Sequence, residues 1–281
     1  MEPLEYCRSR VAPPGSELHY ALRFAWPAAR DGLLAAHACF AEIMAVPMEV
    51  SDPAVGAVKL NWWREELDRA FAGQPRHPAT RALSTAMEGH DLSFEPFRNM
   101  VEGSAMDLEY GSYPDFDGLS TYCHRTGGAL AHLSVEICGY GNRGTVRFGH
   151  HLGMGLALFR LLRDVRAHAE RGRCHIPENE LAAAGLSADE LLQRGTATAT
   201  RKLLAEQARR VEAFFSEAEQ ALPAEDRRAQ RFGLVRIALA RALLREMAAE
   251  DYPLLERGLE LTPIRKLWIA WRTARRNRRA G

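Results

Sequence analysis

The sequence lacks three features, and each absence excludes a class of protein. It has almost no net charge, because 37 Lys and Arg residues balance 36 Asp and Glu residues, which excludes a chain-wide polyelectrolyte binder of nucleic acid. It has no run of about 18 uninterrupted apolar residues, so no membrane-spanning helix is predicted. Residues 1–15 contain acids and prolines instead of an apolar run, and we therefore expect no secretory signal there.

Paired cysteine motifs are also absent. The five cysteines form no CxxC pair, and they are Cys7, Cys39, Cys123, Cys138 and Cys174. A chain of 281 residues can bury a core without crosslinks, which favours free thiols in a reducing compartment over a disulfide or zinc framework. We expect a cytoplasmic protein whose contact with the inner membrane, where it has one, is peripheral.

What the sequence does have is helical periodicity through most of its length, with few alternating β-branched runs. The pattern predicts an all-α fold of one domain, residues 1–281, that begins with an irregular N-terminal arm over residues 1–26. Pro27 is expected to open the first long helix and Pro47 to end it. Asp52 and Pro53 are expected to open the second helix, as its N-cap and its first helical residue.

Two predicted helices in the middle of the chain have unusual compositions. Residues 117–138 contain Gly127 and Gly128, each of which costs a helix roughly 1 kcal/mol relative to alanine. Such a pair indicates close helix packing or room for a ligand. The next helix, from about residue 143 to residue 170, is apolar on nearly all sides between Leu152 and Leu162, as expected of a central buried helix.

Four blocks of sequence, in order and over nearly the whole chain, resemble the squalene/phytoene synthase family. They are residues 16–27; residues 52–53 with 59–67 and 76–78; residues 106–109 with 119–123 and Gly127-Gly128; and residues 162–164 with 171–173 and 176–177. The resemblance implies an isoprenoid-synthase-type helical bundle around a central apolar cavity, in which two prenyl diphosphates are joined head to head. It also implies two aspartate motifs on facing helices that hold Mg²⁺ against the leaving diphosphate.

The family's two aspartate motifs are poorly kept in this chain. The first motif falls on residues 44–48, Met-Ala-Val-Pro-Met, and only the following Glu49 is kept as a candidate metal ligand. In the second motif, Asp164 is kept and His168 replaces the second aspartate one turn later on the same helical face. The resemblance therefore makes Asp164 and His168 the candidate catalytic pair and Asp164 a candidate metal ligand, although imidazole is a poor ligand for magnesium. The alternative is a helix-terminal ion pair or hydrogen bond.

Arginines around the second motif are candidates for substrate binding, because guanidinium groups can hold a diphosphate without a metal. The resemblance adds residues of the opening and mid-chain blocks. The complete set of predicted substrate contacts is Ser16, Tyr20, Tyr122, Gly127, Gly128, Arg160, Arg163, Arg171 and Arg173. Ordinary surface charge around a helix end explains the arginines equally well.

Two further positions carry weaker signals. Asp107 and Glu109 belong to the mid-chain block, where they either line the mouth of a pocket or serve as capping and surface residues. Cys174 and His175 follow His168 closely, but the spacing offers no fourth ligand for a soft metal.

The loss of the first motif, together with the run from His168 to Gly172, resembles a divergent branch of the family that includes the mitochondrial complex I assembly factor and its bacterial relatives. This resemblance implies a protein that binds an isoprenoid or another apolar ligand, or that acts as an assembly or scaffold factor for a respiratory complex, with no cofactor. The alternative is an active head-to-head prenyltransferase that uses Mg²⁺ and prenyl diphosphates. A third hypothesis is a hydrolase of prenyl diphosphates.

The last predicted helix, residues 263–281, is basic and amphipathic. From residue 265 to residue 281 there are seven basic residues and no acid. Ile264, Leu267, Trp268 and Trp271 follow helical spacing, so this helix either docks on the bundle and offers its arginines to anionic headgroups, or simply docks.

Overall fold

The computed structural model describes residues 1–88, 92–193 and 195–277, and within these ranges the chain forms helices and connecting turns with no strand. The all-α prediction is confirmed. The α-helices, in chain order, are α1 (Pro3–Val11), α2 (Glu17–Phe24), α3 (Arg30–Glu49), α4 (Pro53–Phe71), α5 (Pro78–Met87), α6 (Glu95–Glu109), α7 (Phe116–Cys123), α8 (Ala129–Cys138), α9 (Thr145–Arg163), α10 (Val165–Ala169), α11 (Glu178–Ala183), α12 (Thr198–Ala221), α13 (Arg231–Ala249) and α14 (Pro263–Arg276). A π-helical turn, His124–Gly128, joins α7 to α8, and short 3₁₀ turns precede α3 and α13.

Helix α9 lies at the centre of the bundle, packed against α12, α8 and the π-helical turn. From Leu152 to Leu162 every residue is buried except Leu156 and Arg160, which are partly exposed. A second group of buried side chains surrounds α3 and includes Leu33, Ile43 and Phe97. The periodicity therefore predicted correctly which helix is central.

The glycine pair in the π-helical turn serves close packing against α9. A Cβ atom on Gly127 would lie 2.7 Å from the carbonyl oxygen of Gly153, and one on Gly153 would lie 2.6 Å from the Cα atom of Gly128. Any larger residue at these positions would force the two segments apart. Close packing is therefore one role that the geometry shows for the pair, and Gly127 also borders a cavity.

Helix α3 continues past Pro47 to Glu49, so the prediction that Pro47 ends it is wrong. A proline has no N–H to donate to the carbonyl four residues earlier, which here belongs to Ile43. The buried hydroxyl of Ser104 in α6 donates to that carbonyl instead, at 2.8 Å. Because a side chain from another helix satisfies the free acceptor, the proline is tolerated inside the last turn.

The prediction of an irregular arm over residues 1–26 is also wrong, because α1 and α2 lie there. Short helices are marginal alone, and α1 is held by its contacts with α3. The Tyr6 hydroxyl donates to Glu42 at 2.7 Å, and Arg10 pairs with the same carboxylate at 2.7 Å. The long helix expected over residues 143–170 is interrupted at Asp164, between α9 and α10.

Other boundaries agree closely with the sequence. Asp52 caps α4, where its carboxylate accepts a hydrogen bond from the backbone of Ala54 at 2.8 Å, and Pro53 is the first helical residue. Residues 27–49 are long and apolar enough to cross a membrane, but 67% of that apolar window is buried inside the bundle. The predicted last helix is present as α14, and residues 278–281 lie outside the described residues.

Candidate functional site

A buried polar cluster connects α6, α7 and α9 with the segment after α10. Asp107 accepts a hydrogen bond from the Tyr122 hydroxyl at 2.9 Å, and its other oxygen lies 3.0 Å from Nε2 of His175. Arg160 donates to the Tyr122 hydroxyl at 3.1 Å. Asp107, Tyr122 and His175 are all at most 8% exposed, so these contacts replace water for each of them.

Charge is retained inside this cluster. Burial alone would raise the pKa of Asp107, but His175, Arg160 and Tyr122 outweigh it and hold that pKa below its usual value. Burial would lower the pKa of Arg160, but Tyr122, Asp107 and Asp164 hold it above its usual value. The cluster is therefore an ion network in which Arg160 is the cation and Asp107 the anion.

His168 lies next to this cluster in its neutral form. Burial, together with neighbouring His175 and Arg160, lowers the pKa of His168 to about 3. The rings of His168 and His175 lie 4.5 Å apart, and the Nδ1 atoms of both rings have no hydrogen-bond partner among the described residues. A small cavity of about 20 Å³ that both rings line has room for about one water molecule.

A larger cavity, which we call the arginine cavity, lies on the other side of Arg160. Its volume is about 90 Å³, and it is lined by Arg160, Arg163 and Arg236, by the carboxylate residue Glu17, and by apolar side chains that include Phe40. Three guanidinium groups and one carboxylate leave an excess of positive charge. Such a surface suits an anion rich in oxygen atoms, such as a phosphate or a diphosphate.

Each guanidinium group of the arginine cavity is positioned by a buried or half-buried partner. Arg160 is held by Tyr122, and Arg163 makes two hydrogen bonds to Asp164, at 2.8 and 2.9 Å. Arg236 donates to Nε2 of His37 at 2.9 Å. Because the arginines are oriented before any ligand binds, little side-chain entropy would be lost when an anion binds.

The histidine behind Arg236 is also neutral. Burial and the charge of Arg236 lower the pKa of His37 to about 3, and burial lowers the pKa of Arg236 itself to about 10. Nδ1 of His37 lies 2.8 Å from the carbonyl oxygen of Leu33. Nδ1 therefore carries the proton and Nε2 is the acceptor for Arg236.

Comparisons with known proteins agree on one family. The squalene/phytoene synthase family model matches residues 11–267. The chain is 32% identical over 215 residues to a chloroplastic phytoene synthase of an Oncidium hybrid cultivar, and 34% identical over 200 residues to chloroplastic phytoene synthase 1 of Solanum lycopersicum. The chain belongs to the squalene/phytoene synthase family.

These alignments cover 74% and 69% of this family member but 52% and 48% of the two plant synthases, so the chain spans about half their length. A dehydrosqualene synthase in complex with a ligand has a TM-score of 0.84 at 18% identity, over 98% of this chain and 96% of that one. Squalene synthase HpnC from Alicyclobacillus acidocaldarius has a TM-score of 0.75 at 22% identity, over 89% and 94%. At these identities the likeness supports the isoprenoid synthase fold.

The described residues of this squalene/phytoene synthase family member do not form a magnesium site. Among the described residues, no group of three or more His, Cys, Asp or Glu side chains is placed to hold a metal. Asp164 gives both oxygens to Arg163, and Glu49 is more than half exposed, 3.8 Å from Arg10 and 3.9 Å from Lys59. Residues 44–48 offer no carboxylate. A hard cation needs several oxygen ligands, so the donor set does not fit Mg²⁺.

The predicted substrate contacts fall into two groups, those at the arginine cavity and those with structural partners elsewhere. Arg160, Arg163 and Gly127 line the arginine cavity, and Tyr122 positions Arg160. The other five residues have structural partners, and their contact with substrate stays a prediction. Ser16 accepts from His19 N to cap α2, Tyr20 packs edge to face with the ring of His19, Gly128 packs against Gly153, and Arg171 donates to Ala167 O. Arg173 reaches the end of α3, where it donates to the carbonyl oxygen of Pro47 at 2.9 Å.

Sequence reasoning did not predict several contacts of the site. Asp107 lies inside a family-like block and His175 lies between two parts of another, but the sequence does not predict that these two side chains meet. Glu17 lies inside the block of residues 16–27 but was given no role there. Arg236 and His37 lie outside the four blocks, so the resemblance carried no signal for them.

Proposed function

We propose that this protein binds prenyl diphosphates in the arginine cavity and carries out the head-to-head prenyl transfer of its family with arginines, not magnesium, facing the diphosphate. The observation that carries the proposal is the convergence of Arg160, Arg163 and Arg236 on one cavity. Relatives named phytoene synthases support this choice of reaction. Their substrates and products come to this chain only through the proposal.

The chemistry requires positive charge where the diphosphate leaves. When the bond between the prenyl carbon and the diphosphate oxygen breaks, the electron pair stays on the diphosphate, and its growing charge needs fixed donors. Arg160 and Arg163 supply such donors from one helix, and Arg236 supplies them from α13. The aromatic side chains of Phe40 and Phe159 line the same cavity and offer apolar contact to the prenyl chain.

A second candidate function is binding without condensation, as in an assembly or scaffold protein. Two observations favour it. Residues 44–48, near the end of α3, carry no carboxylate, and the carbonyl oxygen of Pro47 among them is tied to Arg173. The arginine cavity holds about 90 Å³, well below the roughly 300 to 1,000 Å³ of most small-molecule sites, so two prenyl chains need a wider cavity than the one described.

The deciding experiment measures pyrophosphate release and hydrocarbon product from farnesyl and geranylgeranyl diphosphate, with magnesium and with EDTA. We expect release that persists in EDTA and falls at least tenfold in Arg160→Met and in Arg163→Gln. Arg163 is partly exposed, so its variant tests the site even if Arg160→Met folds poorly. Arg147→Met, an exposed arginine of the same helix, is the matched control and should leave the rate unchanged.

Other outcomes would contradict the proposal in separable ways. Pyrophosphate release that disappears in EDTA would show that magnesium is required, and the proposal of metal-free prenyl transfer would be wrong. Tight binding of a prenyl diphosphate without release would favour the second candidate. No binding at all in a folded protein would reject both.

A further inference from the structure

Helix α14 lies on the bundle with its small residues inward. Ala270 and Ala274 are buried against α13 and α2, and Lys266, one turn before Ala270, is only 7% exposed. The Lys266 ammonium donates to the carbonyl oxygen of Gly15 at 3.3 Å. The contacts of the helix with the bundle are therefore made by these two alanines, one inward lysine and the partly buried Ile269.

Four of the large apolar residues of α14 face outward, whereas Ile269 packs partly buried against the core. Ile264 is 83% exposed, Leu267 40%, Trp268 52% and Trp271 45%. Docking of the helix on the bundle therefore does not explain these four residues. Single exposed apolar residues are ordinary, but four large ones within about two turns form a patch of the kind that marks an interaction site.

The same face is strongly cationic. Arg272 lies over the Trp268 ring with 5.0 Å between the guanidinium carbon and the ring centroid, and Arg275 lies over the Trp271 ring at 5.3 Å. No acidic residue occurs from residue 261 to the last residue, 281. Cationic groups therefore stand directly beside the exposed aromatic rings.

A surface groove between α13 and α14 extends this positive charge. It has a volume of about 470 Å³, and its lining includes Arg227, Arg241, Arg245, Arg272 and Arg276, with Glu219 as the one carboxylate among the lining residues described. Arg241 is partly neutralised by Glu212 and Glu219. Trp268 forms part of the groove wall, so the aromatic patch and the arginine groove are one continuous surface.

We propose that this surface, the α14 face, docks on a bilayer that contains anionic lipids. Tryptophan prefers the boundary between headgroups and acyl chains, and isoleucine and leucine gain by entering the first acyl layer. Arginines around them meet the lipid phosphates, and they also keep the helix in the plane of the surface. Charge complementarity favours an anionic bilayer over an apolar groove of a partner protein. Arginines lie over both tryptophan rings, and α14 carries no acidic residue.

The test is sedimentation of the full chain with vesicles of phosphatidylcholine alone and of phosphatidylcholine mixed with phosphatidylglycerol. We expect binding to the mixed vesicles that weakens as salt is raised. Trp268→Ala with Trp271→Ala should weaken it at least tenfold. Arg272→Gln with Arg275→Gln and Arg276→Gln should weaken it about a hundredfold, since each interfacial arginine contributes about fivefold.

A matched pair of variants separates this face from general surface stickiness. Ile264→Ser changes an apolar residue of α14 that is 83% exposed, and Val58→Ser changes one of α4 that is 71% exposed. Only Ile264→Ser should lower vesicle binding. Circular dichroism of each variant checks that the bundle is intact, which is expected because none of these side chains is buried.

Three results would overturn the proposal. The first is a wild-type chain that binds neither kind of vesicle. The second is equal loss of binding in Ile264→Ser and Val58→Ser. The third is a concentration-dependent dimer that the tryptophan variants abolish, which would assign the α14 face to a second copy of the chain.

Discussion

The two regions on which the resemblance placed the family's aspartate motifs differ in the side chains that they carry. Near the end of α3, residues 44–48 have no charged side chain, and the Pro47 carbonyl is held by Arg173. At the junction of α9 and α10, Arg160 donates to Tyr122 and Asp164 pairs with Arg163, while the neutral ring of His168 packs against that of His175. Charged side chains are therefore accommodated in the second region because hydrogen-bond partners lie beside them.

Arg173 joins the two regions. It follows the second motif in sequence, yet it donates to the carbonyl oxygen of Pro47 and lies 3.5 Å from the sulfur of Met48. This contact satisfies a carbonyl at the end of α3 that no later helical N–H can reach. The arginine therefore serves the packing of the first region, whereas Arg160 and Arg163 face the cavity of the second.

The largest expected effect breaks the second region. Asp107→Ala removes the acceptor of Tyr122 and His175 and one of the two carboxylates, Asp107 and Asp164, that favour the charge of Arg160. We expect a loss of about 3 to 5 kcal/mol in the free energy of unfolding, measured with urea at pH 7. Asp117→Ala, an exposed acid in the first turn of α7, is the control and should cost less than about 1 kcal/mol. A similar small loss in both variants would show that the cluster is not an ion network.

An intermediate effect tests whether the fold depends on neutral histidines in α3 and α10. The pKa values of His37 and His168 are about 3 in the folded chain, against an ordinary value of 6.5. Between these values the unfolded chain binds more protons, so the stabilisation is complete above pH 6.5 and is lost as the pH falls towards 3. From pH 6.5 to 5, each histidine should remove about 2 kcal/mol from the free energy of unfolding.

Urea titrations at pH 7 and pH 5 measure that loss. His37→Gln and His168→Gln should each flatten the pH dependence of the free energy of unfolding, because each variant removes one buried neutral histidine. His124→Gln changes an exposed histidine and serves as the control. If the flattening occurred in neither buried variant, the neutral state of these histidines would be ruled out.

The smallest expected effect concerns the first region. Ser104→Ala leaves the Ile43 carbonyl without a donor, and we expect a loss of about 1 kcal/mol in the free energy of unfolding. Ser134→Ala removes a buried hydroxyl that also donates to a helix carbonyl, that of Leu130, but that carbonyl keeps its ordinary helical N–H donor. The two variants should therefore differ, and equal losses would mean that Pro47 needs no support from α6.

Much of the fold and part of the site could be predicted from the sequence. Asp52 and Pro53 mark the start of α4, Pro263 marks the start of α14, and the long apolar run identifies α9 as the central helix, because caps and periodicity are local signals. The absence of carboxylates from residues 44–48 is likewise evident from the sequence alone. The family blocks also led to Arg160 and Arg163, which do face a common cavity.

Tertiary structure alone decided which side chains meet and which faces are covered. His175 contacts Asp107 across 68 residues of sequence, and Arg236 contacts His37 across 199, distances at which no spacing rule operates. Pro47 stays inside α3 because a serine from α6 replaces its missing donor. Helical spacing grouped Ile264, Leu267, Trp268 and Trp271 on one face, but only the tertiary structure shows that this face points outward. The opposite face carries the alanines, and their small side chains allow α14 to pack closely on α13.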